Sequence, residues 1–353
     1  MGNPKIAVVG TGSFGRNHLR VIHESPKADL AGLLDLDPKR AAEAAAPYKC
    51  RVFATPEELA SNAQAAVIAT PTVTHAEIGC RLMKLGLDVL IEKPIAHDPT
   101  AARLLVDAAD RYGRVLQVGH LERFNPAVIA LGSAIGRPLF FEVHRLSEFS
   151  PRSLDVDVVL DLMIHDIDIV LSLTGEMPAE IRAAGISILS SKVDIANVRL
   201  QFPSGCVANL TASRVSTERV RKLRLFQPHE YISLDYSRQD AVRFRVKPIA
   251  THAAIDETTA SESPGLNSPA AELRAPPRLW GPPTNGMIDF APLPVAKDEP
   301  LRLELEEFFD SVTTRRAPRV TGRQGLQALE VAHGILAKIE EHSQLVAQTL
   351  KTP

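Results

Sequence analysis

Apolar residues in the first 120 positions fall into short runs that alternate with longer segments of helical periodicity. Runs that are apolar on both faces are typical of parallel strands covered by helices on either side. Two helix starts between the runs are marked by Thr55 before Pro56 and by Asp98 before Pro99, a common N-terminal arrangement. The pattern predicts an α/β domain. Its predicted strands are 6–9, 30–34, 65–69, 89–91 and 115–118.

The pattern changes after about residue 123. A helical segment at 157–173 is followed by segments in which apolar and polar residues alternate, as they do in half-buried strands. Two of these segments flank Pro203-Ser204-Gly205, which has the composition of a hairpin turn. We therefore predict an α+β domain with an open, mainly antiparallel sheet. Its predicted strands are 198–202, 207–211, 219–226 and 231–236.

The segment 247–300 is rich in Pro, Ser, Thr, Ala and Gly, so it cannot bury enough apolar surface to fold alone. We expect a loop insertion over the site, and a spacer is the alternative. Helical spacing returns at 301–312 and 325–341. The predicted domains are a Rossmann domain over 1–122, a substrate-binding and oligomerisation domain over 123–320, and a C-terminal helix over 321–353.

Composition indicates an ordinary soluble protein that works on a small molecule. The chain has 353 residues, 45% of them hydrophobic, and a formal net charge of -2. It therefore lacks the excess of basic residues that binding to nucleic acid or to anionic membranes requires. No stretch approaches the roughly 20 apolar residues of a membrane span, and the first strand leaves no room for a signal peptide. Three scattered cysteines, Cys50, Cys80 and Cys206, fit a reducing compartment. We expect a cytoplasmic protein.

A glycine-rich turn, Gly10-Thr11-Gly12-Ser13-Phe14-Gly15, follows the first apolar run and precedes a helical segment. In this context the glycines permit a tight turn, close approach to a pyrophosphate and close helix packing. Asp35 ends the second run 20 residues beyond Gly15, where a carboxylate would accept bonds from both ribose hydroxyls. The alternative is an ordinary turn with Asp35 as a helix cap. Leu36-Asp37 favours NAD over NADP, although Lys39 and Arg40 weaken that preference.

Two further groups of residues have the chemistry of proton transfer. Glu92-Lys93-Pro94 ends the fourth run, at the edge of the sheet where ligands of α/β proteins bind, although a surface lysine before a turn is the structural alternative. Asp161 and His165 are four residues apart on one predicted helical face, so that Asp161 could hold the His165 ring and favour its protonated form. A solvated acidic face is the alternative. No complete metal-ligand motif is present, and we expect no metal.

Together these motifs resemble the glucose-fructose oxidoreductase, inositol dehydrogenase and MocA (Gfo/Idh/MocA) family, with Ala69-Thr70-Pro71, His75 and Val118-Gly119-His120 as further matches. The resemblance implies a NAD-dependent dehydrogenase that acts on a sugar hydroxyl. It also implies that Lys93 and His165 are the catalytic pair and that Asp161 supports His165. The implied cofactor-binding residues are Gly10, Gly12, Ser13, Phe14, Gly15, Asp35, Thr70, Pro71, His75 and Glu92.

Residues 119–126 and 159–168 most resemble members that act on nucleotide sugars, in particular UDP-N-acetylglucosamine 3-dehydrogenases, which implies a role in lipopolysaccharide biosynthesis. A diphosphate needs cations, and the forked donors of arginine suit it. Arg219 and Arg221, at alternating positions of a strand, also fit a solvated face. The expected substrate-binding residues are Lys93, Asn125, Arg152 and Arg214.

Two other functions stay open on the sequence alone. One is an inositol or free-sugar dehydrogenase of the same family. The other is a non-catalytic protein that senses NAD or a metabolite, against which the joint presence of Lys93, Asp161 and His165 argues. Because an open sheet face needs covering, we also expect a homodimer or homotetramer.

Overall fold

The apolar runs of the first domain form a parallel sheet, as predicted. The structure, a computed structural model, describes residues 2–132, 134–149, 156–247 and 287–349. Within the first of these ranges the sheet has six strands in the order β3-β2-β1-β4-β5-β6, which is the order of a Rossmann fold. Its strands are β1 (Lys5–Val9), β2 (Asp29–Leu34), β3 (Arg51–Val52), β4 (Ala65–Ile68), β5 (Asp88–Glu92) and β6 (Leu116–Gly119).

Helices connect these strands and begin where the capping residues predict. The side chain of Thr55 accepts a hydrogen bond from the amide of Glu58, and that of Asp98 from the amide of Ala101, so two predicted helix starts are confirmed. The short strand β3 lacks an apolar run and was not predicted. The helices are α1 (Ser13–Glu24), α2 (Pro38–Ala45), α3 (Pro56–Ala60), α4 (His75–Lys84) and α5 (Pro99–Tyr112).

The second domain contains an open sheet whose eight described strands are antiparallel to their neighbours, except that β7 and β10 run parallel. The predicted hairpin at residues 203–205 joins β9 to β10, and Gly205 has a φ of +85°. The sheet order is β14-β13-β12-β11-β7-β10-β9-β8. The strands are β7 (Phe140–Glu148), β8 (Glu180–Ile186), β9 (Ile195–Gln201), β10 (Val207–Ser216), β11 (Val220–Gln227), β12 (Glu230–Asp235), β13 (Asp240–Lys247) and β14 (Met287–Pro292).

Helical segments of this domain lie on one side of the sheet and bury its apolar face. They are α6 (Pro126–Leu131), a π-helical turn at Val159–Met163, and α7 (Ile164–Thr174), which continues directly from that turn. The predicted helix at 157–173 is therefore confirmed, except that its first turn is wound more widely than an α-helix.

The Pro-rich segment is not a loop along its whole length. Residues 287–292 form β14, which pairs with β13 at the edge of the sheet. Residues 248–286 lie outside the described residues, and the choice between a loop and a spacer falls there.

The predicted division at residue 320 does not follow the packing of the C-terminal helices. Helix α8 (Pro300–Thr314) shares a buried apolar cluster with β1 and α1, so it covers the Rossmann sheet although it was assigned to the second domain. Helix α9 (Gly322–Thr349) packs against α5 and also against α7 and β8, and thus joins both domains. Among the helices that the structure describes, none is long and apolar enough to cross a bilayer.

Candidate active site

The glycine-rich turn leaves open space where its middle glycine lies. A Cβ on Gly15 would come within 1.9 Å of the Gly10 carbonyl oxygen, and Gly10 itself has a φ of +88°, so both glycines are required by the fold. Gly12 has no atom within 4 Å of its Cβ position. It precedes α1, whose N-terminus has no side-chain cap, so the first amides of that helix can bind an anion. The turn therefore fits the pyrophosphate of a dinucleotide.

Asp35 stands at the carboxyl end of β2 beside this turn. Its Oδ2 accepts hydrogen bonds from the amide and the hydroxyl of Thr11, both at 2.7 Å. Arg40 donates two more bonds, at 3.1 Å to Oδ2 and 2.7 Å to Oδ1. Burial opposes ionisation, but these bonds hold the pKa of Asp35 well below its usual range. The carboxylate can accept hydrogen bonds from ribose hydroxyls, provided that Arg40 gives up part of its own bonding to Asp35.

Lys93 lies at the carboxyl end of β5, in the cleft between the two domains. Its Nζ donates a 2.9 Å hydrogen bond to the main-chain oxygen of Asp161 and lies 3.8 Å from Oδ1 of the same residue. Burial lowers the pKa of Lys93, whereas Asp161 and Glu92 act in the opposite direction. An ammonium with a lowered pKa exchanges a proton with a substrate hydroxyl more readily than a surface lysine does.

Glu92, next to Lys93 in the chain, contacts a histidine that was not among the residues predicted from the sequence. The Nε2 of His18 lies 2.7 Å from Glu92 Oε1. Burial raises the pKa of Glu92, but the contact with His18 and the charge of Lys93 outweigh it and leave the pKa lowered. A second buried carboxyl, Glu304 on α8, has a pKa well above its usual value because of burial and the charge of Glu92. We assign the negative charge to Glu92 and the proton to Glu304.

The expected contact between Asp161 and His165 is not what the structure has. Asp161 lies in the π-helical turn and contacts Lys93, whereas His165 lies in α7. Among the described residues, Nδ1 of His165 has no hydrogen-bond partner, and the ion pair of Asp161 is with Lys93. The expectation that Asp161 holds the ring of His165 and favours its protonated form was therefore wrong. Asp161 orients Lys93 instead.

His165 is nevertheless close to Lys93, and its ring is neutral. Burial lowers the pKa of His165 well below its usual value, and the positive charge of Lys93 lowers it further. Among the described residues, its Nδ1 has no hydrogen-bond partner. The ring of His120 meets it edge-on, with the centroids 6.5 Å apart. A neutral imidazole beside an ammonium can accept a proton from a hydroxyl bound between them.

Comparisons with known proteins find matches to both domains. Residues 4–120 match the oxidoreductase family described as having a NAD-binding Rossmann fold, and residues 130–227 match the Gfo/Idh/MocA C-terminal domain. The UDP-N-acetylglucosamine 3-dehydrogenase of Acidithiobacillus ferrooxidans is 33% identical over 96% of this chain and 98% of its own. The chain belongs to the Gfo/Idh/MocA oxidoreductase family. The predictions of fold class, family, enzyme class and NAD as cofactor are confirmed.

A solved structure and one further relative show how far the likeness of this Gfo/Idh/MocA protein extends. A solved structure of the same Acidithiobacillus ferrooxidans enzyme has a TM-score of 0.82 at 32% identity, covering 97% of this chain and 99% of that one. An inositol 2-dehydrogenase of Rubrobacter xylanophilus is 36% identical, but only over 46% of this chain and 50% of its own.

His75 of this family member links the loop that follows β4 to the loop that follows β5. Its Nδ1 lies 3.0 Å from the carbonyl oxygen of Pro94 and its Nε2 lies 3.0 Å from that of Thr70. Burial lowers the pKa of His75. The ring is 1% exposed, so it positions Thr70 and the exposed Pro71 rather than reaching a ligand itself.

Two of the expected substrate-binding residues are buried and bonded to neighbouring protein groups. Asn125 is 3% exposed, and its amide nitrogen donates to Glu122 and to the main-chain oxygen of Tyr236, while its oxygen caps α6. Arg214 is 5% exposed and donates to the carbonyl oxygen of Val156, which leads into the π-helical turn. These side chains hold the walls of the site. Arg152 lies outside the described residues.

A different arginine, Arg221 on β11, lies on the cleft side of the sheet. It alternates with the open-face residues Lys222 and Arg224, and its Nε is buried without a partner among the described residues. Burial and the neighbouring Arg145 lower the pKa of Arg221. A cation that is buried beside another cation favours the binding of an anion. The alternation of residues along the strand could have indicated from the sequence that Arg221 faces the cleft.

Arg145 was also missed as a structural residue of the site. It is 1% exposed on β7, and its guanidinium donates two bonds to Asp166 at 2.7 and 2.8 Å and one to Glu122 at 3.0 Å. It also lies over the ring of Tyr236 at 5.0 Å. Because Asp166 follows His165 directly, this ion pair fixes the start of α7 on the sheet.

Proposed function

We propose that this protein oxidises the carbon-3 hydroxyl of UDP-N-acetylglucosamine to a ketone, with NAD as the hydride acceptor. The observation that carries the proposal is the convergence of Lys93 and the neutral ring of His165 in one cleft beside the glycine-rich turn. The substrate follows from the relative of that name, which matches along nearly the whole chain.

The residues of the cleft have separable roles in this proposal. NAD, when bound, supplies the acceptor for the hydride of the carbinol carbon. Lys93, oriented by Asp161, donates a hydrogen bond to the reacting hydroxyl, and His165 accepts its proton. The burial of both groups strengthens these contacts. We assign the glycine-rich turn with Asp35 to the dinucleotide, and Thr70, Pro71, His75 and Glu92 to the border of its nicotinamide half.

Arg221 supports a nucleotide sugar over an uncharged cyclitol, because a diphosphate needs a cation in the cleft. Replacing Arg221 by Met should raise KM for UDP-N-acetylglucosamine with a smaller change in kcat. Arg224→Met is the matched control, since Arg224 lies on the same strand, on the opposite face, paired with Glu142 at 3.1 Å. Equal KM values for the wild-type protein and the Arg221 variant would remove this support.

The direct test adds UDP-N-acetylglucosamine and NAD to the protein and measures NADH formation and the keto product, with and without an added keto-acid acceptor. Absence of the 3-keto sugar under both conditions would reject the substrate. Turnover of myo-inositol in its place would establish the alternative. A non-catalytic NAD sensor is distinguished by His165→Ala, which should cost an enzyme at least about a hundredfold in rate.

We also propose that the protein forms a homodimer or homotetramer through its open sheet face. Five aromatic rings lie side by side across that face, with neighbouring centroids 4.9 to 5.7 Å apart. They are Phe140, Phe226, Tyr231, Phe244 and Phe290. Tyr231→Lys should lower the mass in light scattering, because a charge in the centre of the row opposes its burial.

A cytoplasmic location and a role in lipopolysaccharide biosynthesis complete the proposal. The cysteines Cys50, Cys80 and Cys206 are all free thiols, which fits a reducing compartment. Fractionation of cells that express a tagged protein tests the location.

A further inference from the structure

Several buried polar atoms near the cleft have no hydrogen-bond partner within the described ranges. They are both ring nitrogens of His120, Nδ1 of His165 and Oδ2 of Asp168. Buried polar atoms in folded proteins are rarely left in this state, and a group of them in one place indicates a function for which the partner is water or a ligand. None of the roles assigned above uses His120 or Asp168.

His165, His120 and Asp168 form a line of neighbouring residues. His120 follows β6 and is 1% exposed, with its ring edge-on to that of His165. Asp168 is three residues beyond His165 on α7, one helical turn away. Burial lowers the pKa of His120, and Asp168 opposes this more strongly than any other charged neighbour. Asp168 is therefore placed to stabilise a proton on His120.

Asp168 also lines a cavity of about 210 Å³ on the far side of this line. Such a volume holds several water molecules. The other polar lining residues are Arg123, Ser172, Glu176, Gln324 and Gln327, and the rim includes the exposed residues Gly175 and Met177. Arg123 lies 3.4 Å from Oδ1 of Asp168, which leaves Oδ2 for another partner. The cavity connects the end of the line with the surface.

We propose that His120 and Asp168 carry the proton that His165 accepts from the substrate hydroxyl to this cavity and so to solvent. The inference rests on the proposed function. In the oxidation, the C–H and O–H bonds of the carbinol break and a C=O bond forms; the hydride leaves for NAD and the proton goes to His165. The proton then passes to His120, through a bridging water since no direct hydrogen bond joins the rings, and on to Asp168. His165 returns to its neutral form.

The charges around the line favour this direction of transfer. The positive charges of Lys93, Arg145 and Arg221 disfavour a cation on His165. His120 is affected unfavourably by Lys93 and Arg123 and favourably by Asp168 and Glu92. A proton accepted at His165 therefore moves from three cations toward a carboxylate.

The test compares hydride transfer with proton release in a single turnover. The full-length protein is mixed with NAD and UDP-N-acetylglucosamine in weak buffer, and NADH absorbance and a pH-indicator dye are recorded together. In His120→Gln and Asp168→Asn, proton release should lag NADH formation by at least about tenfold, whereas in the wild-type protein the two keep pace. His333→Gln on α9 is the control, since its Nε2 is also buried without a described partner, away from the line. Proton release that keeps pace with NADH in a folded variant would overturn the proposal.

A second measurement needs no substrate and separates this proposal from the assignment of the sugar. Protein labelled with ¹⁵N-histidine is titrated by NMR with NAD present, and the ring signals of His165 are followed in the wild-type protein and in both variants. We expect His120→Gln and Asp168→Asn to shift the tautomer and titration of the remaining rings. Unchanged His165 signals in His120→Gln, together with unchanged His120 signals in Asp168→Asn, would refute the proposed proton path. A wild-type protein that shows this coupling without forming NADH would refute only the substrate.

Discussion

Replacing Arg145 by Met tests the buried ion pair that holds the start of α7, next to His165. The guanidinium makes three hydrogen bonds to two carboxylates, and the side chains of Arg145 and Asp166 are each only 2% exposed. Methionine fills a similar volume and removes the charge. The variant leaves Asp166 and Glu122 buried without their cation.

The expected loss is large because an unpaired buried carboxylate is costly. Removing one partner of a buried ion pair destabilises a protein by about 3 to 5 kcal/mol, a large part of the roughly 5 to 15 kcal/mol that folded proteins have. Burial already raises the pKa of Asp166, and without Arg145 that pKa rises further. A pKa raised in the folded state contributes stability at low pH that is lost as pH increases. The defect of Arg145→Met should therefore grow with pH above about 4.

The assay is urea unfolding at several pH values, with two further variants for comparison. Arg145→Met/Asp166→Leu removes the main unpaired charge and should recover at least half of the loss. Arg224→Met makes the same substitution in a pair whose side chains are 41% and 35% exposed, so it should cost less than about 1 kcal/mol. A loss in Arg145→Met no greater than in Arg224→Met, or a double variant that is worse than the single one, would refute the reasoning.

Three further predictions concern the cofactor turn, the buried carboxyl and the catalytic lysine. Gly12→Ala should weaken NAD binding in calorimetry without lowering Tm, since no atom lies within 4 Å of the added Cβ. Gly15→Ala should lower Tm, because its Cβ would meet a main-chain oxygen at 1.9 Å. Glu304→Gln should gain stability relative to the wild-type protein as pH rises above about 4.3, by up to about 1.4 kcal/mol per pH unit, because a carboxyl with a raised pKa loses its contribution in that direction; a constant difference would contradict the assignment of the proton to Glu304. Lys93→Met should lower kcat/KM by at least about a hundredfold, with NAD affinity preserved in the same calorimetric assay, and a near-normal rate would exclude Lys93 from proton transfer.

The first domain was predictable in detail because its signals are local. Apolar runs, helix caps and the glycine-rich turn each depend on neighbouring residues, and together they specify a parallel sheet with helices between its strands. β7 was missed for a physical reason. Its inward positions include Arg145, and a charged residue at a core position is not expected in a buried strand. Only the structure shows that Asp166 and Glu122 neutralise this charge.

The sequence groups Lys93, Asp161 and His165 as candidate residues for proton transfer, but it does not indicate their contacts. Lys93 contacts Asp161 in the π-helical turn, whereas the ring of His165 packs against that of His120. The spacing of residues along the sequence does not predict a π turn. Arg214 could not be distinguished from a phosphate ligand, because its partners, among them the main-chain oxygen of Val156 and the carboxylate of Asp194, are distant from it in the sequence.

The central claim is that Lys93 and His165 act on one carbinol whose hydride is transferred to NAD. The most direct measurement uses UDP-N-acetylglucosamine that carries deuterium on carbon 3 and determines the mass of the reduced cofactor. The account predicts that the deuterium appears in the NADH formed and that Lys93→Met and His165→Ala abolish its appearance. Unlabelled NADH formed from the labelled sugar would contradict the account.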